Sequence, residues 1–216
     1  MTKNKNILNL INKKNVWWDF DGVIKESLEV KSLGFAKLFG SYNKELVNRI
    51  VDHHNLNGGI SRYKKIPLYL EWVGEKVNPN KIDSFCKKFS EIVKNEVLSS
   101  PWVPGVYSIL EENYKSKNYF LLSATPQDEI EYILKKLKLS NFFKVIYGSP
   151  TEKVDAINKT ISEYNISKEN SIFVGDSESD LKAAANSGVD FLLKKTKCNL
   201  SLQNKFKGPK INNFLL

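Results

Sequence analysis

Short apolar segments alternate with amphipathic segments along most of the chain. Near-continuous apolar runs occupy residues 15–20, 119–123, 144–147, 171–175 and 191–193, and helical patterns follow the second, third and fourth of them. Runs of this kind are typical of strands that are buried on both faces. The pattern therefore predicts an α/β fold, a doubly wound, Rossmann-like parallel sheet with helices on both faces.

Residues 26–100 follow a different pattern. They contain helical patterns at about 30–39, 44–54, 62–73 and 81–98 and no convincing strand. This block is too long for an ordinary crossover between parallel strands. We therefore predict an α/β core formed by residues 1–25 and 101–216, with a second, helical domain formed by residues 26–100 inserted after the first strand. The tail from Lys194 onward is lysine-rich and weakly patterned, and we assign it no role.

Composition is that of a chain with a packed core. Hydrophobic residues make up 41% and aromatic residues 12% of the 216 residues, which disfavours global disorder. The two cysteines lie far apart and suggest neither a disulfide framework nor a zinc site. The apolar run at residues 7–11 is too short for a signal peptide, and no later segment is apolar enough to span a membrane. We expect a cytoplasmic protein.

The net charge of +9 changes this picture only slightly. A basic balance is compatible with nucleic acid, a membrane surface or an anionic small molecule as partner. The lysines are spread along the chain, without a basic stripe, arm or known nucleic-acid-binding module. We therefore disfavour nucleic acid and expect a positive surface that helps to collect phosphorylated substrates. The oligomeric state stays open.

Polar residues of a particular kind follow the predicted strands. Asp19 and Asp21 end the first strand, Ser123 ends the second, Lys153 follows the third, and Asp176 and Asp180 follow the fourth. Ligands of open α/β sheets bind outside these strand ends. Converging carboxylates repel one another unless a cation lies between them. An all-oxygen set without thiolate or histidine favours Mg²⁺ as the cofactor.

This set of residues suits phosphoryl transfer. A metal that bridges a carboxylate and a phosphate oxygen cancels the repulsion between two anions. The Ser123 hydroxyl and the Lys153 ammonium can hold the other phosphoryl oxygens. Asp19 is then free to attack phosphorus and form an aspartyl phosphate. Asp21 can protonate the leaving alcohol and later activate water.

The motifs resemble those of the haloacid dehalogenase superfamily, in order: Asp19-Phe20-Asp21-Gly22-Val23, Ser123, Lys153, and Gly175-Asp176-Ser177-Glu178-Ser179-Asp180. The members most similar are those like phosphoglycolate phosphatase and β-phosphoglucomutase, and the helical insert resembles their cap of the first type. The resemblance implies that Asp19 is the nucleophile, Asp21 the acid/base, and Ser123 and Lys153 phosphate ligands. It also implies a metal held by Asp19, the backbone carbonyl of Asp21 and Asp176, with Asp180 in support.

Some residues around the motifs are further candidates for substrate binding. Gly22 and Ala124 directly follow Asp21 and Ser123, and we assign them to substrate binding. Within the insert, two adjacent glycines allow a tight backbone between two helices. We assign Gly59 and Arg62 to this loop's contact with the substrate, although a plain helix–loop–helix turn with a solvated arginine is the alternative. Of His53 and His54, at most one can face the site.

The reaction predicted from these residues is the Mg²⁺-dependent hydrolysis of a small phosphomonoester, a sugar or hydroxy-acid phosphate. A sugar phosphomutase of the β-phosphoglucomutase kind would share every core motif and is the first alternative. A dehalogenase is disfavoured because halide displacement does not need Asp21. A non-enzymatic phospho-aspartate or nucleic-acid-binding module is a remote alternative, since such a module gains nothing from a lid.

Overall fold

A six-stranded parallel sheet forms the centre of the molecule. The computed structural model describes residues 5–215. The sheet order is β3-β2-β1-β4-β5-β6, with every neighbouring pair parallel. The predicted α/β fold is therefore confirmed. The strands are β1 (Asn15–Trp18), β2 (Asn118–Pro126), β3 (Val145–Ser149), β4 (Ser171–Gly175), β5 (Asp190–Lys194) and β6 (Lys210–Ile211).

Adjacent tryptophans in β1 face opposite sides of the sheet, because successive side chains of a strand alternate. Trp17 stacks on Phe120 at 5.4 Å, in a core with residues of α8 (Lys153–Glu163) and α9 (Glu178–Ser187). Trp18 belongs to a second core that includes residues of α1 (Lys5–Asn12), α6 (Val106–Asn113) and α7 (Gln127–Lys136). Both indoles are fully buried. The sheet thus has an apolar core on each face, and β1 lies in its middle.

Four of the five helices between β1 and β2 form the inserted block, close to the predicted ranges. They are α2 (Leu28–Leu38), α3 (Lys44–Leu56), α4 (Arg62–Trp72) and α5 (Pro79–Ser99), and together with the loops between them they are called the helical insertion below. The Asn78 side chain accepts a hydrogen bond from the backbone of Lys81, and Pro79 opens α5, which are strong signals of a helix start. None of the helices in residues 5–215 is both long and apolar enough to cross a membrane.

An aromatic core holds the helical insertion together. Phe35 of α2 lies 4.2 Å from Phe89 of α5 and 5.3 Å from Tyr69 of α4, measured between ring centroids. A Cβ on Gly34 would lie 2.3 Å from Val93 Cγ1, so α2 and α5 approach each other through this glycine. These side chains belong to the same continuous hydrophobic cluster as Trp18 of β1, so the insertion packs onto the sheet core.

Two adjacent segments connect the helical insertion to the sheet. The backbone N–H of Glu26 donates to Pro101 O at 2.9 Å, and that of Val103 donates to Ile24 O at 3.0 Å. The chain thus enters and leaves the insertion side by side, near the boundaries that the sequence predicts. The division into two domains at these boundaries stays a prediction.

The C-terminal tail, to which the sequence pattern assigned no role, completes the sheet and one of its cores. It contains α10 (Leu200–Lys205) and β6, which pairs with β5. The Phe214 ring lies 5.5 Å from Trp18, and its backbone N–H donates to Pro104 O. The tail is therefore part of the folded core rather than a basic appendage.

Candidate active site

The loop after β1 brings the first aspartates to the edge of the sheet. The backbone N–H of Asp19 donates to Val174 O of β4 at 2.9 Å, and the residue is 4% exposed. Gly22 follows with φ at +78°, and a Cβ there would lie 2.7 Å from Asp176 Oδ2. Glycine alone adopts this backbone without strain and leaves room for that carboxylate. The Asp-x-Asp-Gly turn thus presses the first motif against the last one.

Three buried carboxylates meet at this edge. Oxygens of Asp19, Asp176 and Asp180 lie within 4.8 Å of one another. Burial, together with the neighbouring carboxylates, raises the pKa of Asp19 to about 7, although Lys153 opposes this. Burial and the charges of Asp19 and Asp180 raise the pKa of Asp176 well above its usual range. The cluster therefore holds more negative charge than its own residues neutralise.

The donors of this cluster fit Mg²⁺. Asp180 uses both of its oxygens within the protein: Oδ1 accepts from Lys153 Nζ at 2.5 Å, and Oδ2 accepts from the backbone and hydroxyl of Ser177. This capping box starts α9. Asp19 and Asp176 are therefore the carboxylates with oxygens available to a metal, and Asp180 supports them. All the donors are oxygens, as a hard cation prefers.

Lys153 joins the nucleophile to the last motif. It is the first residue of α8, and its Nζ lies 3.0 Å from Asp19 Oδ1 as well as 2.5 Å from Asp180 Oδ1. Burial opposes its charge, but the two aspartates raise its pKa above the ordinary value. Lys153 is therefore a fixed cation beside the candidate nucleophile. The structure thus brings the lysine that the sequence analysis singled out next to Asp19, and its role as a phosphate ligand stays a prediction.

Asp21 points away from the acidic cluster. Its carboxylate accepts from Ser27 Oγ at 2.6 Å and from Thr125 Oγ1 at 3.3 Å, and it forms an ion pair with Lys31. Burial opposes ionisation, but Lys31 and Ser27 hold the pKa of Asp21 below its usual range. Among the described residues, the carboxylates that lie close enough together to hold one metal ion do not include that of Asp21. The predicted contact of Asp21 with the metal, through its backbone carbonyl, stays a prediction.

Four of the predicted residues line one cavity of about 120 Å³ between the helical insertion and the core: Gly59, Ser123, Ala124 and Lys153. Ser123 is buried, and its Oγ accepts a hydrogen bond from the backbone N–H of Thr125 at 3.1 Å. A Cβ on Gly59 would lie 2.0 Å from Ser179 Oγ, so the insertion touches the last motif at this glycine. The insertion therefore forms one wall of this cavity, which is partly open to solvent.

Arg62 forms a buried ion pair that the sequence analysis did not predict. Its two terminal nitrogens donate to both carboxylate oxygens of Glu129 in α7, at 2.8 and 2.9 Å, and one also donates to Ser90 Oγ. The residue is 5% exposed, so it is not the solvated arginine of the alternative either. A bidentate pair of this kind fixes geometry. Arg62 therefore joins the insertion to the core and also lines a small cavity beside Asp21, and its contact with the substrate stays a prediction.

Asn199 is a functional candidate that the sequence analysis missed. Its Nδ2 donates to Asp176 O at 2.6 Å and to Lys194 O at 2.9 Å, while its Oδ1 accepts from the backbone of Thr196 and from Gln203. Asn199 thus holds the backbone of the last motif from the C-terminal tail. No local signal distinguishes it from the many other asparagines of the chain.

Two lysines near Asp21 were missed for the same reason. Lys31 lies on α2 and also donates to Thr125 Oγ1 at 2.7 Å. Lys65 lies on α4, is 2% exposed, and has its Nζ 3.0 Å from His54 Nδ1. His54 is thus the member of the histidine pair that faces the site, whereas His53 contacts the Tyr69 hydroxyl. Their positions in a lysine-rich sequence carry no signal of these contacts.

Comparison with protein families identifies the class. The model of the haloacid dehalogenase-like hydrolases matches residues 16–194. The chain therefore belongs to the haloacid dehalogenase-like hydrolase family, and the predicted family and the prediction of a hydrolase are confirmed. A comparison with curated proteins finds no significant match.

Solved structures with the same fold cover nearly the whole chain. A mutant of CbbY from Rhodobacter sphaeroides in complex with xylulose-(1,5)bisphosphate has a TM-score of 0.76 and 14% identity, over 94% of this chain and 95% of that chain. A Lactobacillus plantarum protein assigned as a phosphoglycolate phosphatase has a TM-score of 0.72 and 13% identity, over 94% of this chain and 96% of that chain. A Thermotoga maritima protein assigned as a β-phosphoglucomutase has a TM-score of 0.63 and 21% identity, over 92% of this chain and 94% of that chain. At these identities the likeness concerns the fold.

Proposed function

We propose that this protein is a Mg²⁺-dependent phosphatase that hydrolyses a small phosphomonoester through an aspartyl phosphate on Asp19. The observation that carries the proposal is the position of Asp19. It lies in a buried acidic cluster, 3.0 Å from the Lys153 ammonium, and Lys153 and Ser123 line a small cavity. A cation and a hydroxyl that line a small cavity, with a carboxylate nucleophile in contact with that cation, suit a phosphoryl group.

Asp19 and Asp176 would hold the metal, with the backbone carbonyl of Asp21 as the third predicted protein ligand. When bound, Mg²⁺ neutralises the repulsion between the phosphoryl oxygens and these carboxylates. Asn199 and Asp180 would keep the Asp176 loop in place, since they bind its backbone and its neighbouring groups. Such outer contacts orient metal ligands.

In the first step, an oxygen of Asp19 attacks phosphorus and the bond from phosphorus to the ester oxygen breaks. Lys153 and Ser123 hold the phosphoryl oxygens during this step. Asp21 gives a proton to the leaving alcohol. In the second step, ionised Asp21 takes a proton from water, and the resulting hydroxide attacks the phosphoryl group and releases phosphate and Asp19. Lys31 and Ser27 favour the ionised form that the second step needs.

The helical insertion, residues 26–100, would act as a cap over this site. Its loop touches the last motif at Gly59, and Arg62 joins it to Glu129 of the core. A cap of this kind excludes bulk water and admits only small substrates. A small phosphorylated metabolite is therefore the substrate class we favour, and a cytoplasmic location remains our prediction.

The proposal is tested by phosphate release from small phosphomonoesters with and without Mg²⁺. We expect Mg²⁺-dependent turnover in the wild type and its loss in Asp19→Asn. Asp155→Asn in α8, another acid of the core, serves as the matched control and should keep activity. Absence of release from every ester by folded, Mg²⁺-loaded protein would refute the phosphatase. Turnover that needs a sugar bisphosphate as activator would instead identify the mutase.

A further inference from the structure

A second, smaller cavity adjoins the first beside Asp21. It has a volume of about 30 Å³ and lies between the helical insertion and the core. Ala124 lines both cavities. Because Asp21 is the proposed acid for the leaving alcohol, a leaving group that extends past Asp21 from the phosphoryl cavity reaches this one. Its other walls are cationic and aromatic side chains of the insertion, including Lys31, Phe35, His54, Arg62, Lys65 and Phe89.

This cavity has one more cation than its acids neutralise. Lys31 pairs with Asp21, and Arg62 pairs with Glu129. Within residues 5–215, no carboxylate forms an ion pair with Lys65, and the hydrogen-bond partner of its Nζ is His54 Nδ1. A buried ammonium without an acid is costly and is rarely found without a reason.

The surroundings of Lys65 do not stabilise its positive charge. Burial, with the charges of Lys31 and Arg62, lowers the pKa of Lys65 to about 7, and Asp21 offsets only part of this. Burial and the nearby lysines keep the pKa of His54 well below its usual range. When Lys65 is protonated, it donates to Nδ1 of a neutral His54, which then carries its own proton on Nε2. The pair therefore offers an ammonium and an imidazole N–H, both suited to an anion.

We propose that Lys65 and His54 bind a second anionic group of the substrate, a carboxylate on the leaving alcohol. The inference rests on the proposed phosphatase function and narrows its substrate to phosphomonoesters whose alcohol carries an acid a few bonds from the phosphate. A volume of about 30 Å³ is room for roughly two water molecules, since one needs about 10–15 Å³. That space suits a carboxylate rather than a second phosphate or a sugar ring.

The experiment compares two substrates that differ in one group, 3-phosphoglycerate and glycerol 3-phosphate. We measure the ratio of their kcat/KM values in the wild type, in Lys65→Met and in Lys44→Met, an exposed lysine of the same insertion. We expect the wild type to prefer 3-phosphoglycerate, and Lys65→Met to reduce the ratio by about 10- to 100-fold, as for a charge-assisted hydrogen bond. Lys44→Met should keep the wild-type ratio.

Equal ratios in the wild type and in Lys65→Met would overturn the proposal. A second pair, fructose 1,6-bisphosphate and fructose 1-phosphate, tests whether the second anionic group is a phosphate. If the wild type prefers the more negatively charged substrate only in this pair, the proposal of a carboxylate is overturned. Mg²⁺-dependent hydrolysis of p-nitrophenyl phosphate tests the phosphatase separately. If no ester is hydrolysed, the binding of 3-phosphoglycerate to Mg²⁺-loaded Asp19→Asn still tests the role of Lys65. The double variant with Lys65→Met must then bind 3-phosphoglycerate more weakly than Asp19→Asn alone.

Thermal unfolding separates this role from a structural one. Removal of a lysine that stabilises the fold lowers the Tm, whereas removal of an uncompensated buried ammonium raises the Tm. The folded-state pKa of about 7 lies below the unfolded value of 10.5, so the cost is full below pH 7 and fades toward pH 10. We expect Lys65→Met to raise the Tm of the free protein at pH 6 and to have little effect near pH 10. A lower Tm at pH 6 would contradict the proposal.

Discussion

The two aspartates of the first motif have opposite electrostatic surroundings, although one residue separates them. Asp19 lies among carboxylates, and burial raises its pKa to about 7. Burial has the same tendency at Asp21, but the Lys31 ammonium and the Ser27 hydroxyl lower its pKa overall. Carboxylates with separated pKa values are suited to separate roles. The difference arises from α2, which brings Lys31 to Asp21 and not to Asp19.

Replacement of Lys31 by Met tests this division. Without the cation, the pKa of Asp21 rises, and the inflection that Asp21 contributes to the pH profile of kcat/KM moves to higher pH. Because the second step needs ionised Asp21, we expect a loss of roughly tenfold in kcat at neutral pH, less than the roughly 10²–10⁴-fold that general acid–base catalysis contributes. The profile is measured on the wild type, Lys31→Met and Lys31→Arg.

Lys31→Arg should restore the wild-type inflection, because it keeps the positive charge. Lys37→Met serves as the control on the same helix, since Lys37 is exposed and pairs with Glu96 at the surface. An unmoved inflection in Lys31→Met would show that Lys31 does not set the ionisation of Asp21.

At the scale of elements, the loop between α3 and α4 meets the start of α9. A Cβ on Gly59 would lie 2.0 Å from Ser179 Oγ and 2.3 Å from Ser177 Oγ, whereas a Cβ on Gly58 would meet nothing within 4 Å. The Ser177 hydroxyl cannot easily turn away, because it caps α9. The second glycine of the pair is therefore the one that the contact requires.

Gly59→Ala should push the helical insertion away from the last motif. A displacement of about 1 Å near a reacting centre can reduce the rate by about 10²-fold, so we expect kcat/KM to fall about 10- to 100-fold. Gly58→Ala is the matched control and should differ little from the wild type. Both variants are compared in kcat/KM and in Tm. Equal effects of the two alanines on kcat/KM would refute the close contact at Gly59.

The tail supports the metal loop through one side chain. Asn199→Ala leaves Asp176 O and Lys194 O without their donors, and we expect the Kd of Mg²⁺ to rise about 10- to 100-fold, as for other outer-shell contacts. Calorimetric titration with Mg²⁺ measures this without any substrate. Asn204→Ala, an exposed asparagine of α10, should keep the wild-type Kd. An unchanged Kd in Asn199→Ala would mean that the tail does not position the metal loop.

At the scale of the whole molecule, the acidic cluster couples folding to protons and to metal. Asp19 and Asp176 have raised pKa values in the folded, metal-free protein. The folded state therefore retains protons that the unfolded state loses above about pH 4, and stability falls as the pH rises from there toward neutrality. A bound cation replaces these protons, so it should offset this loss.

We therefore expect Mg²⁺ to raise the Tm, and more strongly at pH 8 than at pH 5. At a concentration of about 100 times Kd the stabilisation is about 2.7 kcal/mol, or roughly 5–10 °C in a domain of this size. Thermal scans with Mg²⁺ and with a chelator at both pH values measure it. Asp176→Asn should respond weakly to Mg²⁺ and, without metal, should unfold at a higher temperature than the wild type. A Tm that is insensitive to Mg²⁺ at pH 8 would argue against the metal site.

Much of the fold and the centre of the site could be predicted from local sequence. Apolar runs and their strand-end polar residues indicate a parallel sheet, because a strand buried on both faces needs apolar residues throughout. The sequence also predicted the helices of the insertion near their observed bounds, because apolar residues recur there at helical spacing. The positions of Asp19, Asp176 and Lys153 followed, since strand ends of a parallel sheet meet at one edge.

Other features depend on contacts between residues far apart in the chain. Lys31 and Lys65 resemble the other lysines until α2 and α4 bury them beside Asp21, and Arg62 acquires its role only when α7 presents Glu129. Asn199 reaches Asp176 because the tail packs back onto the sheet. The sequence by itself determined the strand-end motifs, whose geometry follows from local pattern. Only the tertiary structure decided which distant cations and amides serve them, because burial and distance, not residue type, set those interactions.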